Sequence, residues 1–100
     1  MVTATSSSQS LAEHITTTGE TSSLNNVEAW NIQSEDADIR VFTNGNIPTA
    51  SLGQIVKDIQ TTDGGSINVI ASAAQINFIA VSGTPKVTFT PLNIAKGFSV

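Results

Sequence analysis

The chain has 100 residues and a mass of 10.4 kDa, which fits one domain and leaves no room for a second of ordinary size. Charged residues make up only 12%, while serine, threonine, asparagine and glutamine account for 38 residues. The absence of cysteine excludes disulfide scaffolds and thiolate metal sites. A net charge of −4 has the wrong sign for a general nucleic-acid binder. The apolar runs are too short to span a membrane, so we expect neither nucleic acid nor a membrane as partner.

The first 24 residues differ in composition from the rest. They contain five large apolar side chains, whereas residues 25–100 contain 24. A segment this polar buries too little apolar surface to offset the conformational entropy that it would lose on folding. We therefore predict a polar extended N-terminal arm over residues 1–24 and a compact β-rich body over residues 25–100. The arm can dock on its own body or on another chain, and the small surface of the body favours another chain.

Charge is also unevenly distributed along the chain. Residues 1–39 carry six acidic and no basic side chains, whereas residues 40–100 carry four basic and two acidic ones. Such asymmetry can steer unlike surfaces together, including head-to-tail copies of one chain. A solvated acidic face is the simpler explanation.

The body begins with two strand patterns. Residues 27–33 and 38–43 alternate apolar and polar side chains, and the short polar link at residues 34–37 predicts a hairpin. Residues 44–46 (Asn-Gly-Asn) predict a turn, because asparagine and glycine tolerate positive φ. Pro48 then discourages further strand pairing.

The hydrophobic period changes over residues 51–60. Four apolar residues follow the i, i+3, i+4, i+7 spacing of one helix face: Leu52, Ile55, Val56 and Ile59. Ser51 and Gln54 match a capping box. We therefore predict one short amphipathic helix packed on the sheet, although Gly53 lowers its helix propensity.

Strand alternation returns after a loop at residues 61–66. Residues 67–70, 76–81 and 86–90 fit strands, and the turn at residues 82–85 has hairpin length. The stretch 76–81 is apolar on both faces, so we expect a central strand. Together these patterns predict a mainly β fold: a small β-sandwich or barrel of five to six strands, with one short helix and an extended N-terminal arm.

Acidic side chains are densest at Glu35, Asp36 and Asp38. A carboxylate-rich turn can hold a hard cation, but the spacing lacks the EF-hand pattern, and a solvated turn is the simpler explanation. His14 is the only histidine, and no serine lies in a G-x-S-x-G elbow. Glycine-rich phosphate loops are also missing. We therefore predict no catalytic residues, no metal site, no cofactor and no enzymatic activity.

Two aromatic residues are candidates for contact with a partner. Trp30 and Phe98 could stack on a sugar or anchor a protein surface if they are exposed. Filling the core of a small β fold is the favoured interpretation of Trp30. The four phenylalanines are too sparse for a base-stacking platform and have no basic groove beside them.

The layout of the chain resembles that of small virion proteins of tailed bacteriophages, in particular capsid decoration (cement) proteins. The shared features are a Ser/Thr-rich segment at residues 2–24, a compact β body, no cysteine and an apolar end at residues 97–100. The resemblance implies a virion location, an arm lying on the capsid lattice, and homo-oligomers, with trimers favoured. It implies the major capsid protein or another virion protein as partner. Small tail and fibre proteins share the same features.

Two functions follow as hypotheses. The first is a non-enzymatic structural protein of a viral particle, which decorates or cements a capsid lattice through its arm and through self-association. Leu11, Ile15 and Leu24 would anchor the arm in a neighbour, and the arm would add a strand to that neighbour's sheet edge. The alternative is a surface carbohydrate- or receptor-binding module, such as a small fibre or tail component, which needs an exposed Trp30 or Phe98.

Overall fold

The structure is a computed structural model that describes residues 2–14 and 27–92. These residues form eight β-strands: β1 (Val2–Thr3), β2 (Gln9–Ser10), β3 (Trp30–Glu35), β4 (Ile39–Phe42), β5 (Gln54–Val56), β6 (Ile67–Val69), β7 (Asn77–Ala80) and β8 (Lys86–Pro91). Two short 3-10 helices are added to them: Leu11–His14 and Ala73–Gln75. The prediction of a mainly β fold is confirmed.

The strands form two antiparallel sheets of four strands each. Sheet I has the order β1-β8-β3-β6, and sheet II has the order β2-β7-β4-β5. Strands β3 and β4 therefore lie in different sheets, and so do β7 and β8. The hairpins predicted at residues 34–37 and 82–85 are wrong, since both links pass from one sheet to the other. A period of two shows which face of a strand is buried, but it does not say which strand is its neighbour.

Side chains from both sheets contribute to one hydrophobic core. Trp30 and Ile32 of sheet I and Ile39 and Val41 of sheet II are buried, while the residues between them are partly exposed. Full burial of each such large apolar side chain contributes about 1.5–3 kcal/mol. All four residues of β7 are buried, and β7 has a strand on each side, so the prediction of a central strand is confirmed.

The helix predicted over residues 51–60 is wrong. Residues 54–56 form β5, which pairs with β4, and Leu52 is 57% exposed although it belongs to the predicted apolar stripe. Gly53 has a φ of 127°, which ordinary side chains rarely adopt. A Cβ atom there would lie 3.1 Å from the Val41 carbonyl oxygen. The backbone is therefore turned sharply and packed against β4 at the point where a helix would have to continue.

Residues 2–14 supply two of the eight strands, which is one reason why five to six strands were predicted. This part of the predicted arm is packed on the sheets of its own chain. The predicted boundary at residue 24 lies outside the described residues.

Candidate functional site

Residues 2–14, called the N-terminal segment below, lie along one edge of each sheet. Strand β1 pairs with β8 in sheet I, and β2 pairs with β7 in sheet II. Between the two strands, the Ala4 N–H donates to the Pro85 carbonyl, and the Ala80 N–H donates to the Thr5 carbonyl, both at 2.9 Å. The segment therefore changes sheets within a few residues and holds both edges through main-chain hydrogen bonds.

Two apolar side chains anchor the N-terminal segment. Ala4 is fully buried and Leu11 is 3% exposed, and both belong to the core shared by the two sheets. Leu11 therefore packs inside its own chain, where no neighbour can reach it. The other two predicted anchors, Ile15 and Leu24, lie outside the described residues.

A local motif turns the chain into the core at Leu11. The Ser10 hydroxyl oxygen accepts a hydrogen bond from the Ala12 N–H at 3.2 Å, and a Glu13 carboxylate oxygen accepts one from the Ser10 N–H at 3.3 Å. This S-x-x-E arrangement is similar to a capping box, with the hydroxyl bonded to the second residue of the 3-10 helix instead of the third. The spacing of Ser10 and Glu13 was the available signal for this turn, and the prediction of an extended arm did not use it.

On the opposite side of the molecule, β5 and β6 are the outermost strands of their sheets within the described ranges. The β5 side carries two exposed apolar side chains, Leu52 and Ile55, which are 57% and 38% exposed. On the β6 side, Asn68 occupies the central position and Ile70 follows the strand with 76% exposure. The two edges therefore differ in polarity at their central residues.

The outward face of sheet I is polar. Gln33 lies opposite Thr88, and Asn31 lies opposite both Thr90 and Asn68. The Asn31 amide donates to the Asn68 side-chain oxygen at 2.8 Å and to the Ser66 hydroxyl at 2.9 Å. Such a face offers hydrogen bonds to a partner surface but holds no nucleophile–base pair among these residues.

The acidic residues Glu35, Asp36 and Asp38 lie at the connection between β3 and β4, and their side chains bind other parts of the chain. Asp36 and Asp38 form ion pairs with Lys86 at 3.5 Å and with Lys57 at 3.4 Å, respectively. A Glu35 carboxylate oxygen accepts a hydrogen bond from the Gln60 amide at 3.3 Å. Each carboxylate therefore has a partner within the chain. In the described parts of the chain, no group of three or more His, Cys, Asp or Glu side chains is placed to hold a metal ion.

The aromatic candidates are placed as follows. Trp30 is 2% exposed in the core, as favoured above, so it offers no surface for stacking on a sugar. Phe98 lies outside the described residues. The His14 ring is exposed, with its centroid 6.0 Å from that of Phe78. Among these three aromatic side chains, only His14 is both described and accessible.

Of the helices in the described ranges, none has the length and apolar character needed to cross a membrane. Comparisons of the chain with protein-family models, with curated proteins and with solved structures find no match.

Proposed function

We propose that the protein is a non-enzymatic structural protein of a viral particle, which decorates or cements a capsid lattice through its N-terminal segment and through self-association. Its location is the virion, and its partner is the major capsid protein or another virion protein. Homo-oligomers belong to the proposal, with trimers favoured by the resemblance to capsid decoration proteins. The two sheets, which share one core, are proposed as the halves of a small β-sandwich.

The observation that carries the proposal is how the N-terminal segment is held. It binds two sheet edges by antiparallel main-chain pairing, and only Ala4 and Leu11 enter the core completely. Main-chain pairing places few demands on the identity of the partner's side chains, and many proteins use it to add a strand to a neighbour. The same segment can therefore transfer from its own edges to an exposed edge in a capsid lattice.

The alternative, a carbohydrate- or receptor-binding module, draws less support from the described residues. Recognition of a sugar by stacking needs an accessible aromatic ring. Trp30 is buried, and the outward face of sheet I is built from amide and hydroxyl side chains, with the charged pair Glu35 and Lys86 at its end. This face is suited to hydrogen bonding with a broad surface.

A reversible lock on the N-terminal segment tests the proposed mechanism. Thr3 and Lys86 are exposed and lie directly opposite each other in the β1–β8 ladder. Because Ala4 donates to Pro85, the Thr3–Lys86 pair is a non-hydrogen-bonded one, with Cα atoms about 4.5 Å apart. Disulfides span Cα separations of about 4.4–6.8 Å, and the chain has no other cysteine to interfere. The double variant T3C/K86C should therefore close a disulfide within one chain.

We expect oxidised T3C/K86C to lose binding to capsid shells that lack this protein, and to regain it on reduction. Co-sedimentation with the shells measures the bound fraction, and the single variants T3C and K86C control for the substitutions. If the oxidised and reduced forms bind equally, the segment does not transfer to the lattice and the proposed mechanism is wrong.

A further inference from the structure

We infer that the open edge of β5 is a self-association surface, at which two copies of the chain pair antiparallel about a two-fold axis through Ile55. The inference rests on the self-association included in the proposed function and assigns a two-fold contact to it. Such a contact closes at two copies, so it gives a dimer where the resemblance to decoration proteins favours trimers. The pairing would join sheet II of one copy to sheet II of the other, giving a continuous sheet of eight strands.

The main chain of Ile55 points to the open side of the strand. The Val81 N–H donates to the Asp38 carbonyl, so the main-chain groups of Asp38 point to β7. The main-chain N–H and C=O groups of successive residues point to opposite sides of a strand. Those of Ile39 and Val41 therefore point to β5. Their partners in β5 are Val56 and Gln54, which therefore point back to β4. The N–H and C=O of Ile55, between them, are left on the outer edge.

Within the described residues, this edge has one of the features that usually protect an exposed strand, a length of only three residues, but it has no charged side chain and no proline within the strand. Natural edge strands carry charged side chains, prolines or bulges, or are covered by other segments. Strand β5 has the sequence Gln-Ile-Val, and its outward side chain, Ile55, is apolar and 38% exposed. Leu52, which precedes β5 in the chain, is also exposed. Pairing would bury Ile55 and satisfy its main-chain groups.

The charges near the edge permit two copies to approach. Residues 41–56 contain no charged side chain, although the chain as a whole carries −4. In a pair centred on Ile55, Lys57 would lie opposite Gly53 of the second copy, and it is already paired with Asp38 and Asp63. No like charges are therefore opposed in the ladder.

Arg40 is the remaining charge beside the edge. Its guanidinium donates to the Ala50 and Gly53 carbonyls at 3.1 and 2.7 Å, which fixes the turn before β5. In the pair, the two Arg40 residues would be separated by three strand spacings, or about 14 Å. This exceeds the Debye length of about 8 Å at physiological ionic strength, so their repulsion is screened.

A second copy fits this edge better than it fits β6. A two-fold axis places Ile55 opposite its own equivalent, and each supplies the donor and acceptor that the other needs. At the centre of β6, by contrast, the outward side chain is Asn68, which is already bonded to Asn31. At the central residue of the strand, apolar contact and main-chain pairing therefore coincide at β5 and not at β6, where the exposed Ile70 lies beyond the end of the strand.

Sedimentation equilibrium of the full chain tests the inference without any capsid present. We expect the wild type to shift from monomer to dimer over concentrations between about 1 µM and 1 mM, which span weak to moderate affinities. The variant I55K, which opposes two ammonium groups, should stay monomeric while its circular dichroism stays that of the wild type. The matched variant N68K adds the same charge at β6 and should dimerise like the wild type.

A second measurement does not depend on introducing a charge. Opposed Ile55 residues form a hydrogen-bonded pair with Cα atoms about 5.5 Å apart, a distance that a disulfide can span. I55C should therefore oxidise to a covalent dimer faster than N68C. A wild type that stays monomeric, a dimer or trimer that I55K leaves intact, or equal oxidation of I55C and N68C would overturn the inference. The lock on the N-terminal segment tests the proposed function separately, since it is measured as binding to shells.

Discussion

An unfolding free energy lower by about 2–5 kcal/mol is the expected result of replacing Leu11 by alanine. Leu11 is 3% exposed and packs in the core shared by both sheets, although it lies in a polar part of the sequence. Removing its side chain leaves a cavity and weakens the attachment of the N-terminal segment to β7. Urea denaturation followed by circular dichroism gives the free energy of unfolding.

Leu52 provides a matched control for this prediction. It is 57% exposed, so L52A should change the unfolding free energy by no more than about 0.5 kcal/mol at concentrations where the chain is monomeric. If L11A lowered the unfolding free energy as little as L52A does, residues 2–14 would not be packed on their own chain in solution. The N-terminal segment would then be free to bind a partner without first being released.

Replacing Gly64 by alanine is expected to lower the free energy of unfolding by about 3 kcal/mol, at the upper end of the range for overpacking. A Cβ atom at Gly64 would lie 2.7 Å from the Asp58 carbonyl carbon and 2.9 Å from the Ile59 Cα. Both are backbone atoms, so a rotamer change cannot relieve the contact. The Asp58 carbonyl also accepts hydrogen bonds from the Thr61 N–H and hydroxyl, and these would be disturbed as well.

The neighbouring Gly65 separates this steric effect from a general effect of glycine replacement. A Cβ atom there meets nothing within 4 Å. G65A should therefore be neutral, or raise the unfolding free energy by up to about 1 kcal/mol by restricting the unfolded chain. Thermal unfolding of both variants, followed by circular dichroism, measures the difference. Equal melting temperatures for G64A and G65A would show that the loop does not pack against Asp58 as described.

Much of the sheet structure could be predicted from alternation alone. Strands β4, β6, β7 and β8 fall within or close to the predicted segments, because one face of each strand enters the core and the other does not. The burial of Trp30 also followed from its pattern. What alternation could not supply was the pairing of the strands, since a link of four residues can form a hairpin or cross between two sheets.

The other errors have local causes. The stripe at Leu52, Ile55 and Val56 has helical spacing, but Gly53 adopts a φ that a helix does not allow, and main-chain pairing with β4 prevails. The N-terminal segment is polar overall, yet it packs because two sheet edges accept its main chain. Average composition does not register such pairing, so the surface that carries the proposed function was predicted as an arm with its anchors exposed.

The pairing of β1 with β8 has a consequence for the order in which the chain folds. Val2 lies opposite Val87, so this contact cannot form until a strand more than 80 residues further along the chain has been synthesised. Contacts of such sequence separation slow folding, because a long loop must close before they contribute. During synthesis, sheet I lacks β8, its link between β1 and β3, until residues 86–91 have been added. Until then, β1 lacks the one partner strand that the described residues give it.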